Sequence, residues 1–135
     1  MSEKLGIAHD ARFEIREYID DMPALLAAAD LVISRAGALT LAEISAVGRA
    51  SVLIPSPNVA ENHQYHNAMQ LAKLGAAVVL EEKQLTGDAL IETVDRLTQD
   101  PATLLEMGAK ARSLAQPNSL ERIWRELQKI CRPGA

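Results

Sequence analysis

Runs of Val, Ile and Leu alternate with segments of helical periodicity along the first part of the chain. Four apolar runs predict β-strands, at residues 12–19, 30–34, 50–55 and 76–81. Three intervening segments predict α-helices, at residues 22–29, 39–47 and 62–74. Gly48 and Gly75 follow two of these segments at positions that suit a helix end. The alternation is typical of a parallel sheet whose strands are joined by right-handed crossover helices.

The predicted strands differ in their polarity. Residues 31–33 and 51–54 are almost continuously apolar, as expected for strands that helices cover on both faces. The first run alternates instead, with Phe13 and Ile15 opposed to Glu14 and Arg16. Alternation of this kind predicts an edge strand with one face toward solvent.

Beyond the fourth run the pattern predicts helices only, at residues 87–97, 102–115 and 119–131. Thr86, Asp100 and Asn118 precede these helices and suit the N-cap position. An apolar stripe along the last helix predicts core packing or, through Trp124, contact with a neighbouring domain. The stripe comprises Leu120, Ile123, Trp124, Leu127 and Ile130. The predicted fold class is α/β: a Rossmann-like parallel sheet of about four strands with flanking helices, ending in an all-helical segment.

Size and composition narrow the class of protein. A chain of 135 residues with 48% hydrophobic content suffices for one globular domain. A net charge of −4 and only four aromatic side chains of the Phe, Tyr and Trp types argue against a nucleic-acid partner. The single cysteine, Cys131, excludes an internal disulfide. With no run of about 20 apolar residues and no leader pattern at the start, we expect a cytoplasmic protein.

The segment from Ile33 to Glu43 carries the most distinctive chemistry. An apolar strand passes through a turn at Gly37 directly into a helix, and glycine can take φ angles closed to other residues and lets a ligand come close to the backbone. The free amides of Ala38, Leu39 and Thr40 at the helix start can bind a phosphate. Glu43, one turn further on, can accept hydrogen bonds from a ribose diol. The alternative is an ordinary strand-to-helix turn with a solvated glutamate.

Other polar residues permit more than one interpretation. Arg35 can neutralise a phosphate or brace the loop by pairing with a carboxylate. Asp20 and Asp21 are adjacent, but Asp21 is better explained as a helix cap than as half of a catalytic pair. His63 and His66 lie three residues apart without a fitting third ligand, so we expect no metal site.

Three motifs resemble the MurG family of peptidoglycan GlcNAc transferases, which have a GT-B fold and belong to glycosyltransferase family 28. The motifs are Tyr18-Ile19-Asp20-Asp21-Met22, Ser34-Arg35-Ala36-Gly37-Ala38-Leu39-Thr40 and Asn62-His63-Gln64-Tyr65-His66-Asn67-Ala68. The resemblance runs from about Phe13 to Cys131 and implies most of the C-terminal, donor-binding half of the enzyme. It implies transfer of GlcNAc from UDP-GlcNAc to lipid I with inversion, forming lipid II, without a cofactor or a bound metal.

The resemblance also implies roles for single residues. The main chain of Ile19 would bind the uracil edge, Ala38 and the helix start would lie beneath the diphosphate, and Glu43 would bind the ribose. Gln64 matches a glutamine near the GlcNAc hydroxyls, and Asn67 would brace the loop or remain a surface amide. His63 departs from the glutamine of some relatives but can also bond a hydroxyl. The expected binding residues, listed together, are Ile19, Arg35, Gly37, Ala38, Leu39, Thr40, Glu43, His63, Gln64 and Asn67.

The family's N-terminal acceptor domain has a GxGGHxxP segment, thought to supply the general base, and nothing in this chain matches it. Residues 1–135 are therefore expected to form a single partial UDP-GlcNAc-binding domain without a catalytic residue, inactive alone. Lipid I would be reached only through the acceptor domain, at the inner face of the plasma membrane. The alternatives are a stand-alone subunit that completes its site with a separate acceptor-domain protein, and a scaffold without ligand. Exposed sheet edges also favour a homo-oligomer or a domain swap.

Overall fold

The computed structural model describes residues 11–57 and 63–115. Helices and strands alternate up to the last strand, and helices follow it. The helices in this part of the chain are α1 (Met22–Ala28), α2 (Ala38–Val47), α3 (His63–Lys73), α4 (Gly87–Thr98) and α5 (Pro101–Leu114). The strands are β1 (Leu31–Ser34), β2 (Ala50–Leu53) and β3 (Ala77–Val79), and a short 3₁₀ turn covers Glu82–Gln84. The predicted helix 119–131 and its N-cap Asn118 lie outside the described residues.

The three strands form one parallel sheet in the order β1-β2-β3. Leu31 pairs with Ala50 and Ser34 with Leu53, while Ser51 pairs with Ala77 across the second ladder. All four residues of β2 are buried, as their apolar sequence predicts for a strand with neighbours on both sides and helices on both faces. The expected α/β class with a parallel sheet is confirmed.

Two apolar clusters occupy the two faces of the sheet. Leu53 of β2 joins one cluster with Ile44 of α2 and Leu71 of α3. Val52, the preceding residue, joins the other with residues of α4 and α5 such as Met107. Successive side chains of a strand point to opposite faces, so β2 anchors both layers of helices.

The prediction of a β-strand at residues 12–19 is wrong. These residues form no strand, and the side chains of Phe13, Ile15 and Tyr18 are 53%, 61% and 80% exposed. An extended segment becomes a strand only when a neighbour accepts its backbone hydrogen bonds, and no ladder links this segment to β1. The sheet in the described residues therefore has three strands instead of about four.

Helix ends follow the local signals of the sequence. Asp21, Thr86 and Asp100 each accept a hydrogen bond from the backbone N–H three residues later, so the N-cap assignments of Thr86 and Asp100 are confirmed. Gly48 ends α2 with φ of 72°, a left-handed conformation that favours glycine. A Cβ on Gly108 of α5 would lie 2.5 Å from the carbonyl oxygen of Gly48, so α5 crosses the end of α2 at close range.

Candidate functional site

The candidate site is built around the turn that connects β1 with α2. Strand β1 ends at Ser34, and α2 begins at Ala38, with Gly37 at the N-cap position. The first intrahelical bond runs from the N–H of Leu41 to the carbonyl of Gly37, at 3.0 Å. The amides of Ala38, Leu39 and Thr40 have no intrahelical acceptor, and no side chain caps this helix start. The turn thus leaves three N–H donors at the positive end of the helix dipole.

Gly37 adopts an ordinary extended conformation at this turn. Its φ of −65° and ψ of 146° are open to any residue, so the turn does not use the φ angles that only glycine adopts readily. Among residues 11–57 and 63–115, a Cβ added to Gly37 would meet only the hydroxyl oxygen of Thr40, at 4.0 Å. Glycine therefore leaves open space beside the free amides instead of relieving backbone strain.

Glu43 supplies a carboxylate one helical turn beyond these amides. The residue is partly buried on α2. Within residues 11–57 and 63–115, its carboxylate has no hydrogen-bond or ion-pair partner. A partly buried carboxylate whose acceptor oxygens are unused can bind hydroxyl groups of a ligand.

Arg35 braces the turn from the side of the sheet. Its guanidinium forms an ion pair with Glu82, at 3.0 Å, and approaches the carbonyl of Ile54 at 3.5 Å. Of the two interpretations that the sequence left open, the structure shows pairing with a carboxylate. Glu82 lies in the 3₁₀ turn after β3, so this ion pair joins the loops that follow the first and third strands.

Two amide side chains of α3 hold the same turn from the other side. The side-chain oxygen of Gln64 accepts from the N–H of Ser56, at 2.8 Å, and from the N–H of Ala36, at 3.4 Å. The side-chain nitrogen of Asn67 lies 3.5 Å from the carbonyl oxygen of Ala36. Whether Asn67 braces the loop or remains a surface amide stays a prediction. His63 begins α3 with an exposed side chain.

Ile19 lies in the loop before α1 and is partly buried. No hydrogen bond among the described residues ties it to the turn. The structure therefore brings Arg35, Gln64 and Asn67 together around the turn but leaves the role of Ile19 as a prediction.

A cavity of about 430 Å³ opens beyond the ends of β2 and β3. Its lining residues are Pro55, Ser56, Pro57, Tyr65, Glu81, Glu82 and Lys83. Two of these lining residues, Ser56 and Glu82, bond to Gln64 and Arg35 respectively. The sequence reasoning missed Ser56 and Glu82, although both follow the carboxyl end of a predicted parallel strand. Ligands of open α/β sheets bind outside these strand ends, so strand position was the signal that could have identified them.

In the described residues, no group of three or more His, Cys, Asp or Glu side chains is placed to hold a metal ion. None of the helices in the same residues has the length and apolar character needed to cross a bilayer.

The parallel sheet and the glycine turn that leads into an uncapped helix define an α/β domain of the kind that binds ligands at its strand ends. The glycosyltransferase family 28 C-terminal domain matches residues 2–123 of the chain, and the chain belongs to this family.

Individual relatives extend this result. A Bacillus licheniformis protein is named UDP-N-acetylglucosamine--N-acetylmuramyl-(pentapeptide) pyrophosphoryl-undecaprenol N-acetylglucosamine transferase. It is 47% identical over 128 residues, which cover 95% of this chain and 34% of that protein. The Bacillus subtilis protein of the same name is 44% identical over 115 residues, covering 85% and 32%. The resemblance to the MurG family, based on three motifs, is confirmed.

A solved structure agrees. The crystal structure of Acinetobacter baumannii MurG matches with a TM-score of 0.78 and 34% identity, over 95% of this chain and 38% of that one. The chain spans about a third of the length of the curated relatives it matches.

Proposed function

We propose that the chain is the UDP-GlcNAc-binding part of an inverting glycosyltransferase that transfers GlcNAc to lipid I and so forms lipid II in peptidoglycan synthesis. The start of α2 carries this proposal. Three free amides, at Ala38, Leu39 and Thr40, lie beside the open space at Gly37 and one turn before the unpaired carboxylate of Glu43. Family membership and the names of the relatives support the choice of donor.

The diphosphate of the donor would bind at the start of α2. Amides at a helix N-terminus donate to phosphate oxygens, and the helix dipole favours the negative charge. Departure of UDP increases the negative charge on the diphosphate, so the same amides would stabilise the leaving group in the transition state. Arg35 is committed to Glu82, and its positive charge would act on the phosphates only from a distance or after release of that pair.

The remaining contacts would be with the ribose, the uracil and the GlcNAc of the donor. Glu43 would accept from the ribose hydroxyls, and the main chain of Ile19 would bind the uracil edge. His63 and the side-chain nitrogen of Gln64 would face the GlcNAc hydroxyls. The oxygen of Gln64 already accepts from two backbone amides, so its free capacity is as a donor.

Sugar transfer would require a second domain. We assign no catalytic residue to this chain, because an inverting displacement needs a general base and an acceptor aligned with the donor. An acceptor domain would supply both, together with all contact to lipid I at the inner face of the plasma membrane. That domain would belong to the same polypeptide or to a separate protein, and copurification from the native source distinguishes these arrangements: one longer polypeptide, or a tightly bound second protein.

A homo-oligomer or a domain swap is also proposed, because β1 lies at an edge of the described sheet and Ile33 is 45% exposed. Light scattering during size-exclusion chromatography tests it. A monomer mass at every concentration would contradict the proposal.

Replacement of Glu43 tests the donor site. We expect Glu43→Ala to weaken UDP-GlcNAc binding by about tenfold, because hydrogen bonds to a charged group contribute about 1.5–3 kcal/mol. Isothermal titration calorimetry measures the affinity, and circular dichroism checks the fold. Glu92→Ala, the same change on the exposed face of α4, serves as the control and should leave the affinity unchanged. Equal affinities for the two variants would refute the ribose role of Glu43.

A further inference from the structure

Ala36, the residue before the glycine turn, is held on both of its backbone polar groups by α3. Its side chain is fully buried, and it lies between β1 and Gly37. Its N–H donates to the side-chain oxygen of Gln64 at 3.4 Å, and its carbonyl oxygen lies 3.5 Å from the side-chain nitrogen of Asn67. Gln64 and Asn67 are three residues apart, so they project from the same face of α3.

The second bond to Gln64 fixes the orientation of its amide. The N–H of Ser56, just after β2, donates to the same oxygen at 2.8 Å. Ser56 and Ala36 both present donors, which only the carbonyl end of a glutamine amide can accept. Gln64 thereby ties the loop after β1 and the loop after β2 to one helix.

We propose that Gln64 and Asn67 act as positioning residues, an amide clamp that sets the place of the turn and hence of the free amides at Ala38, Leu39 and Thr40. The proposal rests on the proposed function, because positioning matters only if these amides bind the diphosphate. It goes beyond a contact of Gln64 with GlcNAc hydroxyls. Loss of the clamp would displace the phosphate site itself, so even a ligand without the sugar would bind less well.

Comparison of UDP with UDP-GlcNAc separates positioning from sugar contact. Gln64→Leu removes both acceptor bonds with little change in volume. A clamp predicts that this variant loses affinity for UDP by about fivefold or more, as expected for one or two lost hydrogen bonds. The loss for UDP-GlcNAc should be at least as large, because leucine also removes the amide nitrogen proposed to face the sugar. Direct contact with GlcNAc alone predicts weaker binding of UDP-GlcNAc with UDP unaffected, and that result would overturn the proposal. Gln70→Leu on the same helix is the matched control and should change neither affinity.

Amide hydrogen exchange, followed by NMR without ligand, tests the clamp independently of nucleotide binding. Gln64→Leu should speed exchange of the Ala36 and Ser56 amides by about fivefold or more while Val52, in the centre of the sheet, keeps its protection. Gln64→Glu should restore protection, because a carboxylate oxygen still accepts both bonds. For Gln64→Glu, only amide hydrogen exchange is measured and not nucleotide affinity, because the added negative charge would itself repel a diphosphate. Unchanged exchange at both amides in Gln64→Leu, or uniform loss of protection including Val52, would contradict a local clamp.

The two readouts also separate this proposal from the proposed function. If the wild-type chain binds neither nucleotide but Gln64→Leu shows the local loss of protection, the nucleotide function fails and the clamp stands as a structural device. If the wild-type chain binds both and Gln64→Leu leaves UDP binding and exchange intact, the clamp fails alone. Should Gln64→Leu fail to fold, Asn67→Ala, which removes only the bond to the Ala36 carbonyl, is measured in the same way. Unchanged UDP affinity and unchanged Ala36 exchange in that variant would overturn the proposal.

Discussion

The start of α2 differs from the starts of α1, α4 and α5. Each of those three helices begins after a residue whose own side chain accepts from the first turn: Asp21, Thr86 or Asp100. Helix α2 begins after Gly37, which has no side chain to cap it. Capped starts satisfy their backbone within the chain, whereas the uncapped start leaves donors for another molecule. The comparison shows that helix starts in this fold are either satisfied by the chain itself or left with free donors, and the free donors are the ones proposed to bind the diphosphate.

The most direct test of this comparison is to give α2 an N-cap side chain like those of the other three helices. Gly37→Asp places a carboxylate where the other helices carry one, and the φ of −65° accepts the new side chain. We expect stability to change by only a few tenths of a kcal/mol, because glycine is itself a fair N-cap. Nucleotide affinity should fall by about a hundredfold, because the carboxylate takes the amides and repels the diphosphate.

Calorimetry with UDP measures the affinity of this variant, and urea denaturation measures its stability. Gly37→Ser is the companion variant, since it caps without adding charge and should cost less affinity. Wild-type affinity in Gly37→Asp would show that the diphosphate does not bind at this helix start.

Removal of the N-cap from α4, one of the three capped helices, should lower the stability of the protein. The hydroxyl of Thr86 accepts from the N–H of Ala89 at 3.0 Å. We expect Thr86→Ala to lower the free energy of unfolding by about 1 kcal/mol and to leave UDP affinity unchanged. Thr98→Ala, at the opposite end of α4, is the control, and its loss should be smaller because that hydroxyl caps no helix start. Equal losses in the two variants would contradict the capping role of Thr86.

The smallest expected effect is the dependence of the α5 cap on pH. Hydrogen bonds from the hydroxyl and the N–H of Thr103 hold the pKa of Asp100 below its usual value of 3.8. Because the pKa is lowered in the folded state, the ionised cap stabilises the protein above pH 3.8. This contribution is lost as the pH falls through the folded-state pKa. NMR titration of the Asp100 carboxyl carbon measures the shift, and Thr103→Ala should reduce it. A midpoint at or above 3.8 in the wild-type protein would contradict the assignment.

Local signals predicted most of the helices because their causes lie within a few residues. The caps Thr86 and Asp100 bond the amide three residues ahead, and Gly48 ends α2 through its own φ. The first apolar run carried an equally clear alternating pattern and yet formed no strand. A strand depends on a neighbour that its own residues do not specify, so pattern alone overestimated the sheet.

The sequence by itself determined the parallel α/β class, the uncapped helix start after Gly37 and the membership of glycosyltransferase family 28. These follow from periodicity, from the presence or absence of a capping side chain, and from motifs written along the chain. Only the tertiary structure decided that Arg35 pairs with Glu82, 47 residues away, and that Gln64 holds Ala36, 28 residues away. Such partners meet because the parallel register of β1, β2 and β3 brings the ends of distant strands to one edge, and no local rule encodes that distance.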